Sequence, residues 1–234
     1  MLPGARRKHE ETAAAVDRAH ARRMDRIYRY QRHIYDATRK YYLFGRDSLI
    51  RRLGVPQGGS VLEVGCGTGR NLELIARTFP HANLYGLDIS AEMLATARRK
   101  FSGPGKKTPV LKVADATTFT AGDFAVSGFD RIVISYALSM IPDWERAVEQ
   151  ALAALNPGGS LHIVDFGQQE KLPGFVRHSL HAWLRKFHVT PRAGLRETLE
   201  RAAARHAAEL HFQSIGRGYA WHAVLTASPF KRAT

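Results

Sequence analysis

From Ser60 onward, short apolar runs alternate with segments whose apolar residues recur every three or four positions. The runs Ser60–Gly65, Asn83–Leu87, Val110–Ala114, Phe129–Ser135 and Ser160–Phe166 predict strands. Asn71–Thr78, Ala91–Lys100 and a stretch from about Trp144 to Leu155 predict the helices between them, and Asn156–Gly159 a turn before the fifth strand. Such alternation packs as a parallel sheet with right-handed crossovers. Beyond Gly167 the pattern changes to two helical stretches, Phe175–His188 and Ala193–Glu209. The last two runs, Leu210–Ile215 and Ala220–Ala227, flank Gly216-Arg217-Gly218-Tyr219 and predict a hairpin.

The beginning of the chain follows another rule. Glu10 to Lys40 contains no Gly or Pro and is dominated by helix formers. Met24, Ile27, Tyr28, Ile34, Tyr35, Tyr41 and Tyr42 fall mostly on one stripe of such a helix. Gly45 interrupts it, and a shorter helix carries Leu49, Ile50 and Leu53 up to Gly54-Val55-Pro56. The expected organisation is an N-terminal helical cap over 1–54 and an α/β domain over 55–234. That domain has a Rossmann-like parallel sheet, a C-terminal antiparallel hairpin strand, helices on both faces and a helical insertion at about 170–209.

Composition narrows the class. With 44% hydrophobic and 24% charged residues, the chain is neither a disordered nor a fibrous protein. No apolar run reaches the length that spans a bilayer. The N-terminus lacks the apolar segment of a secretory signal, so a cytoplasmic location is expected, peripheral at the inner membrane face. The single cysteine, Cys66, excludes an internal disulfide and a Cys-rich zinc site. Charge is unevenly distributed. Residues 1–52 hold 14 basic and 6 acidic side chains, 53–170 hold 10 and 12, and 171–234 hold 11 and 3. A near-neutral middle between basic flanks points to an anionic partner, whether nucleic acid, an anionic membrane surface or an acidic small molecule, or else to a solvated basic surface.

The middle carries the clearest motif, VLEVGCGTGRN over residues 61–71. A strand runs into Gly65-Cys66-Gly67-Thr68-Gly69, and a helix begins at once. The dinucleotide fingerprint wants its third glycine one position later, where Arg70 stands. No Gly-Lys-Ser/Thr sequence closes the loop either, so it approaches a nucleoside without cradling a pyrophosphate. The second strand ends at Asp88, placed to accept hydrogen bonds from two ribose hydroxyls. The third ends in Asp115-Ala116, placed for an adenine amine, and Glu63 precedes the loop.

On these residues, with FDRIVISYAL at strand four and LNPGG before strand five, the chain resembles the class I S-adenosylmethionine-dependent methyltransferases over about residues 55–166. The resemblance implies S-adenosylmethionine as cofactor. It implies that Gly65, Gly67 and Gly69 pass under its amino-acid part and that Glu63 supports that end. Asp88, with its neighbour Ile89, would bind the ribose, Asp115 and Ala116 the adenine, and Ser135 and Tyr136 would border the methyl group.

Several chemistries lack their residues. Ser135-Tyr136-Ala137-Leu138 stands where base methylation uses Asn/Asp-Pro-Pro-Tyr/Phe. Cys66 lies in the cofactor loop, which suits a small packing residue rather than a nucleophile. No His pair has metal-binding helical spacing. Direct transfer to a nucleophile with a free lone pair is expected, without metal.

The segment YRYQRHIYDATRKYYLFGRD, together with SYALSMIPDW at 135–144, is similar to the bacterial diacylglyceryl-homoserine N-methyltransferases of betaine-lipid synthesis. Soluble bacterial phosphatidylethanolamine N-methyltransferases are the neighbouring family, other small-molecule acceptors stay open, and an RNA-binding methyltransferase-like module is the alternative of another class. The resemblance implies a lipid amine as acceptor; Tyr35 and Asp36, from their place in the N-terminal cap, and then Tyr136, beside the expected methyl, are the groups expected to meet it. Aromatic faces suit an amine that becomes a quaternary ammonium. In Phe175–His188, Val176, Leu180, Trp183, Leu184 and Phe187 form an apolar stripe edged by Arg177, His178, His181, Arg185, Lys186 and His188. This is a helix for a membrane interface or a lid over the pocket.

Overall fold

The computed structural model describes residues 43–105, 107–186 and 189–230. The expected helix over Glu10–Lys40, and with it Tyr35 and Asp36, lies outside the described residues, as do Phe187 and His188. The side chains of Val176, His181, Trp183, Arg185 and Lys186 lie outside them too.

Leu43–Thr234 is one compact unit. Seven strands form its sheet: β1 (Ser60–Val64), β2 (Asn83–Asp88), β3 (Val110–Val113), β4 (Phe129–Ser135), β5 (Leu155–Phe166), β6 (Ala208–Ile215) and β7 (Ala220–Ala227). Their order is β3-β2-β1-β4-β5-β7-β6. The neighbours among β1–β5 pair in parallel, and β7 runs antiparallel to both β5 and β6. The helices are α1 (Arg46–Arg51), α2 (Arg70–Thr78), α3 (Ala91–Phe101), α4 (Trp144–Ala153), α5 (Gly174–Lys186) and α6 (Leu195–His206). The strand order reverses between β1 and β4, so the carboxyl ends of those two strands open the crevice where α/β sheets take ligands.

The central strands β1 and β4, and β5 from Ser160 onward, are mostly apolar because both faces are covered. On one face Leu62, Ile132, Ile134, Leu161 and Ile163 meet Val148 and Leu152 of α4 and Leu195 and Leu199 of α6. On the other, Val61, Val133 and Val164 meet Leu49 and Ile50 of α1, Ile75 of α2 and Leu184 of α5. Fully burying each such side chain contributes about 1.5–3 kcal/mol. The short helix assigned by sequence to the cap therefore belongs to the core of this unit, which begins at Leu43 rather than at Val55.

Three other boundaries move for local reasons. β5 starts at Leu155, before Pro157-Gly158-Gly159, because Leu155 already pairs with Phe129 and the register shifts before Arg131. Asn156 Nδ2 donates to Asp130 Oδ1 at 3.0 Å, and Gly158 N donates to Ser228 O at 3.1 Å, so the expected turn is a bulged extension of the strand. α6 starts at Leu195 after Gly194 and stops at His206, where Ala207 takes φ 50°. β6 then begins at Ala208 instead of Leu210. Of the apolar stripe expected on α5, Leu180 and Leu184 are described. Leu184 is buried and Leu180 packs against the same cluster, while Phe175 at the first turn is 77% exposed.

Candidate cofactor and acceptor site

The glycine loop joins β1 to α2 at the switch point. Gly65, Gly67 and Gly69 all have positive φ, 70°, 54° and 75°. Any Cβ is disfavoured there. At Gly65 space forbids it as well, because a Cβ would come within 2.8 Å of the Ala137 Cβ. The loop thus abuts the segment that follows β4. Its backbone is held by Cys66 N donating to Leu87 O at 2.9 Å and Gly69 N donating to Cys66 O at 3.0 Å.

Asp88 ends β2 with 9% exposure. Its Oδ2 accepts from Gly67 N at 2.8 Å and its Oδ1 from Ser90 N at 2.9 Å. The carboxylate expected to bind ribose therefore also ties the glycine loop to the start of α3. Ile89 beside Asp88 is half-buried. Glu63 is buried, and its Oε1 accepts from Asn71 Nδ2 of α2 at 2.6 Å. Asp115 Oδ1 accepts from Thr117 N and Thr117 Oγ1, both at 2.7 Å, and Ala116 is buried behind it. Burial, reinforced by the Glu63 and Asp88 carboxylates, pushes the Cys66 thiol well above its ordinary pKa. A protonated, buried thiol packs and does not attack.

Ser135 closes β4 at 7% exposure, and its buried Oγ finds no hydrogen-bond partner among the described residues. Tyr136 follows with φ 54°. Its N–H donates to Val164 O at 2.7 Å and its hydroxyl to Phe44 O at 2.6 Å, and its ring lies 4.7 Å from that of Phe166. Burial raises the pKa of its phenol well above the usual value. The sequence reading expected a tyrosine facing the amine. Here the hydroxyl is engaged with the chain just before α1, so Tyr136 anchors that chain to the end of β4.

The residues brought together at the carboxyl edge are thus Glu63, the three glycines, Asp88, Ile89, Asp115, Ala116, Ser135 and Tyr136. Sequence reasoning missed several partners. Asp47 of α1 pairs with Arg70, the residue directly after the glycine loop, at 2.9 and 3.3 Å. Arg70 helps to hold the Asp47 carboxyl below its ordinary pKa. Asp165, fully buried near the end of β5, accepts from Ser139 N at 3.1 Å and Phe166 N at 2.7 Å, and burial pushes its pKa up to about 6. Its signal was legible, an acid near a strand's end like Asp88 and Asp115. Arg192 carried no motif.

A family model described as a methyltransferase domain matches residues 61–159. The 2-phytyl-1,4-naphtoquinone methyltransferase of Thermosynechococcus vestitus (strain NIES-2133 / IAM M-273 / BP-1) is 30% identical over 159 residues, 64% of this chain and 68% of that protein. The chain belongs to the S-adenosylmethionine-dependent methyltransferases.

Two further relatives differ in acceptor. The trans-aconitate 2-methyltransferase of Variovorax paradoxus (strain S110) is 36% identical over 115 residues, 49% of this chain and 41% of that protein. The phosphatidylethanolamine N-methyltransferase of Cereibacter sphaeroides is 37% identical over 119 residues, 50% of this chain and 55% of that protein. The chain spans about half the length of several curated relatives it matches. In fold it is similar to the plantazolicin methyltransferase BpumL, solved with a triazolic desmethylPZN analog and SAH, at TM-score 0.67 and 17% identity over 94% of this chain and 99% of that one.

The cofactor of this methyltransferase is S-adenosylmethionine, and the residues present suit it. The loop offers three glycines that leave its backbone open to close approach, Asp88 offers a buried carboxylate between loop and helix, and Ser135 offers a buried hydroxyl without a partner among the described residues.

Proposed function

We propose that this chain is an N-methyltransferase acting on the amine of a lipid headgroup, diacylglyceryl-homoserine or a close analogue. Gly65, Gly67 and Gly69 hold the cofactor's amino-acid part, Glu63 supports it through α2, Asp88 and Ile89 take the ribose, and Asp115 with Ala116 the adenine. When bound, the cofactor supplies an electrophilic methyl group on a sulfonium. The chain's task is to hold an amine beside it with its lone pair free. The ammonium must lose its proton before each transfer, so the acceptor side favours the neutral amine. Tyr35 and Asp36 are the residues we assign to that amine.

The observation that carries the lipid acceptor is the division of α5. Leu184 is packed into the cluster that contains Tyr136 and Phe166, while Phe175 stands 77% exposed among exposed Lys171, Arg177 and His178. An exposed aromatic edged by cations, on a helix rooted beside the acceptor edge, suits an anionic bilayer surface. The likeness to a phosphatidylethanolamine N-methyltransferase supports the same acceptor chemistry. Among the described residues no helix is long and apolar enough to cross a membrane.

A second reading, C-methylation of an aromatic ring, rests on the naphtoquinone relative. Incubation with labelled cofactor and, separately, a total bacterial lipid extract, demethylated quinone and bulk RNA decides among them. Label in a polar lipid supports the proposal. Label only in quinone or RNA overturns it.

A further inference from the structure

The segment after β4 is held from two other parts of the chain, β5 and the linker after α5. Ser139 N donates to Asp165 Oδ2 at 3.1 Å, and Thr190 N donates to Ser139 O at 3.1 Å. Arg192 Nε donates to Leu138 O at 3.0 Å, and its Nη2 to Ile141 O at 2.6 Å. The same guanidinium lies 6.0 Å from the centre of the Trp144 ring at the start of α4. Leu138 is fully buried, so its carbonyl depends on a protein partner. The linker that carries Thr190 and Arg192 follows α5 directly, with Val189 N donating to Leu184 O at 3.1 Å.

The opposite end of this segment touches the cofactor loop, as the close approach of Ala137 to Gly65 shows. Residues 137–141 therefore sit between the cofactor loop and the linker from α5. Residues 137–141 form a turn, with Met140 N and Ile141 N donating to Ala137 O at 3.0 and 3.2 Å and Ile141 N to Leu138 O at 3.3 Å, and the guanidinium fork adds two directed bonds across its carbonyls. A lysine ammonium cannot reproduce two directed bonds at that spacing.

We propose that Arg192 is the positioning residue of the acceptor wall: it fixes residues 137–141 against the cofactor loop and makes their placement depend on the seating of α5. This rests on the reading of the segment after β4 as the acceptor side. Arg192 touches neither cofactor nor acceptor. Its effect falls on acceptor recognition and spares the cofactor site, whose proposed contacts come from the loop after β1, the ends of β2 and β3, and Ser135, which lies inside β4 and before the segment Arg192 holds.

The test compares the full chain with Arg192→Ala and Arg192→Lys. Amide hydrogen exchange over 137–143, calorimetric affinity for S-adenosylhomocysteine, and methyl transfer to vesicles containing diacylglyceryl-homoserine are measured. Exchange is expected to quicken about tenfold and the acceptor KM to rise about tenfold in both variants, as two hydrogen bonds are lost or misdirected. Cofactor affinity is expected to stay within about twofold. Unchanged exchange, or equal weakening of cofactor and acceptor, would overturn the assignment. If the parent methylates no lipid, the lipid reading fails, and exchange with cofactor affinity still decides the role of Arg192. If Arg192→Ala does not fold, Arg192→Lys, which keeps the stem and charge, carries the comparison.

Discussion

Gly67 N donates to Asp88 Oδ2 at 2.8 Å, across 21 residues of sequence. The glycine loop after β1 and the acid that ends β2 are therefore one assembly, with Ser90 N on the other carboxylate oxygen. Asp88→Ala removes the loop's anchor and, in the proposed site, the acceptor for the ribose. We expect S-adenosylhomocysteine affinity to fall by about 2 kcal/mol or more, from charged hydrogen bonds alone. Asp88→Asn, which keeps one acceptor oxygen, should lose less. Calorimetry that finds either variant unchanged would remove Asp88 from the site.

Tyr136→Phe tests the anchor. The 2.6 Å bond to Phe44 O is lost while the ring contact with Phe166 is kept. Stability should fall by about 1 kcal/mol, a Tm decrease of roughly 2–4 °C for a unit of this size. Thermal denaturation measures it. A loss of methyl transfer with unchanged stability would instead return the hydroxyl to the reaction.

Acid stability depends on two buried groups of opposite sign. His162 lies 2.8 Å from Ser160 Oγ, and burial pushes its pKa down to about 3. The unfolded state binds more protons there, so its contribution is present above about pH 6.5 and is lost as the pH falls toward 3. Asp165, raised to about 6, binds its proton more readily when folded, so its contribution grows as the pH falls from about 6 to 4. Asp165→Asn removes the second effect only. Between pH 6 and 4 the variant's stability should drop more steeply than the parent's, by about 1.4 kcal/mol per pH unit. Urea titrations at several pH values supply the slopes, and parallel curves would contradict it.

Surface docking predicts that binding to anionic vesicles weakens with salt. Phe175→Ala should cost roughly 1–2 kcal/mol, and charge removal at Lys171 or Arg177 about 1 kcal/mol each. Vesicle flotation reads both effects, with cofactor affinity unchanged. Binding that ignores salt and Phe175 would leave the basic surface merely solvated.

The sheet was legible because its central strands are mostly apolar and its helices carry a clear period. The cofactor site was legible because left-handed glycines and strand-ending acids are local features, as at Gly65 and Asp88. The wall after β4 was not. Arg192 meets Leu138 O across 54 residues and Ile141 O across 51, and a side chain that binds carbonyls leaves no pattern in the sequence it binds. Tyr136 was placed correctly at the end of β4, yet the direction of its hydroxyl depends on Phe44, 92 residues earlier.

The central claim is transfer to a lipid amine, and the position of the new methyl group tests it most directly. The chain is incubated with vesicles of diacylglyceryl-homoserine and cofactor labelled with carbon-13 in its methyl group, and the extracted lipid is examined by NMR. The account predicts N-methyl resonances that progress to a trimethylammonium signal, faster with rising pH until the bound amine is deprotonated. Label found only on carbon, or none in the lipid while the same enzyme methylates a quinone, would contradict it.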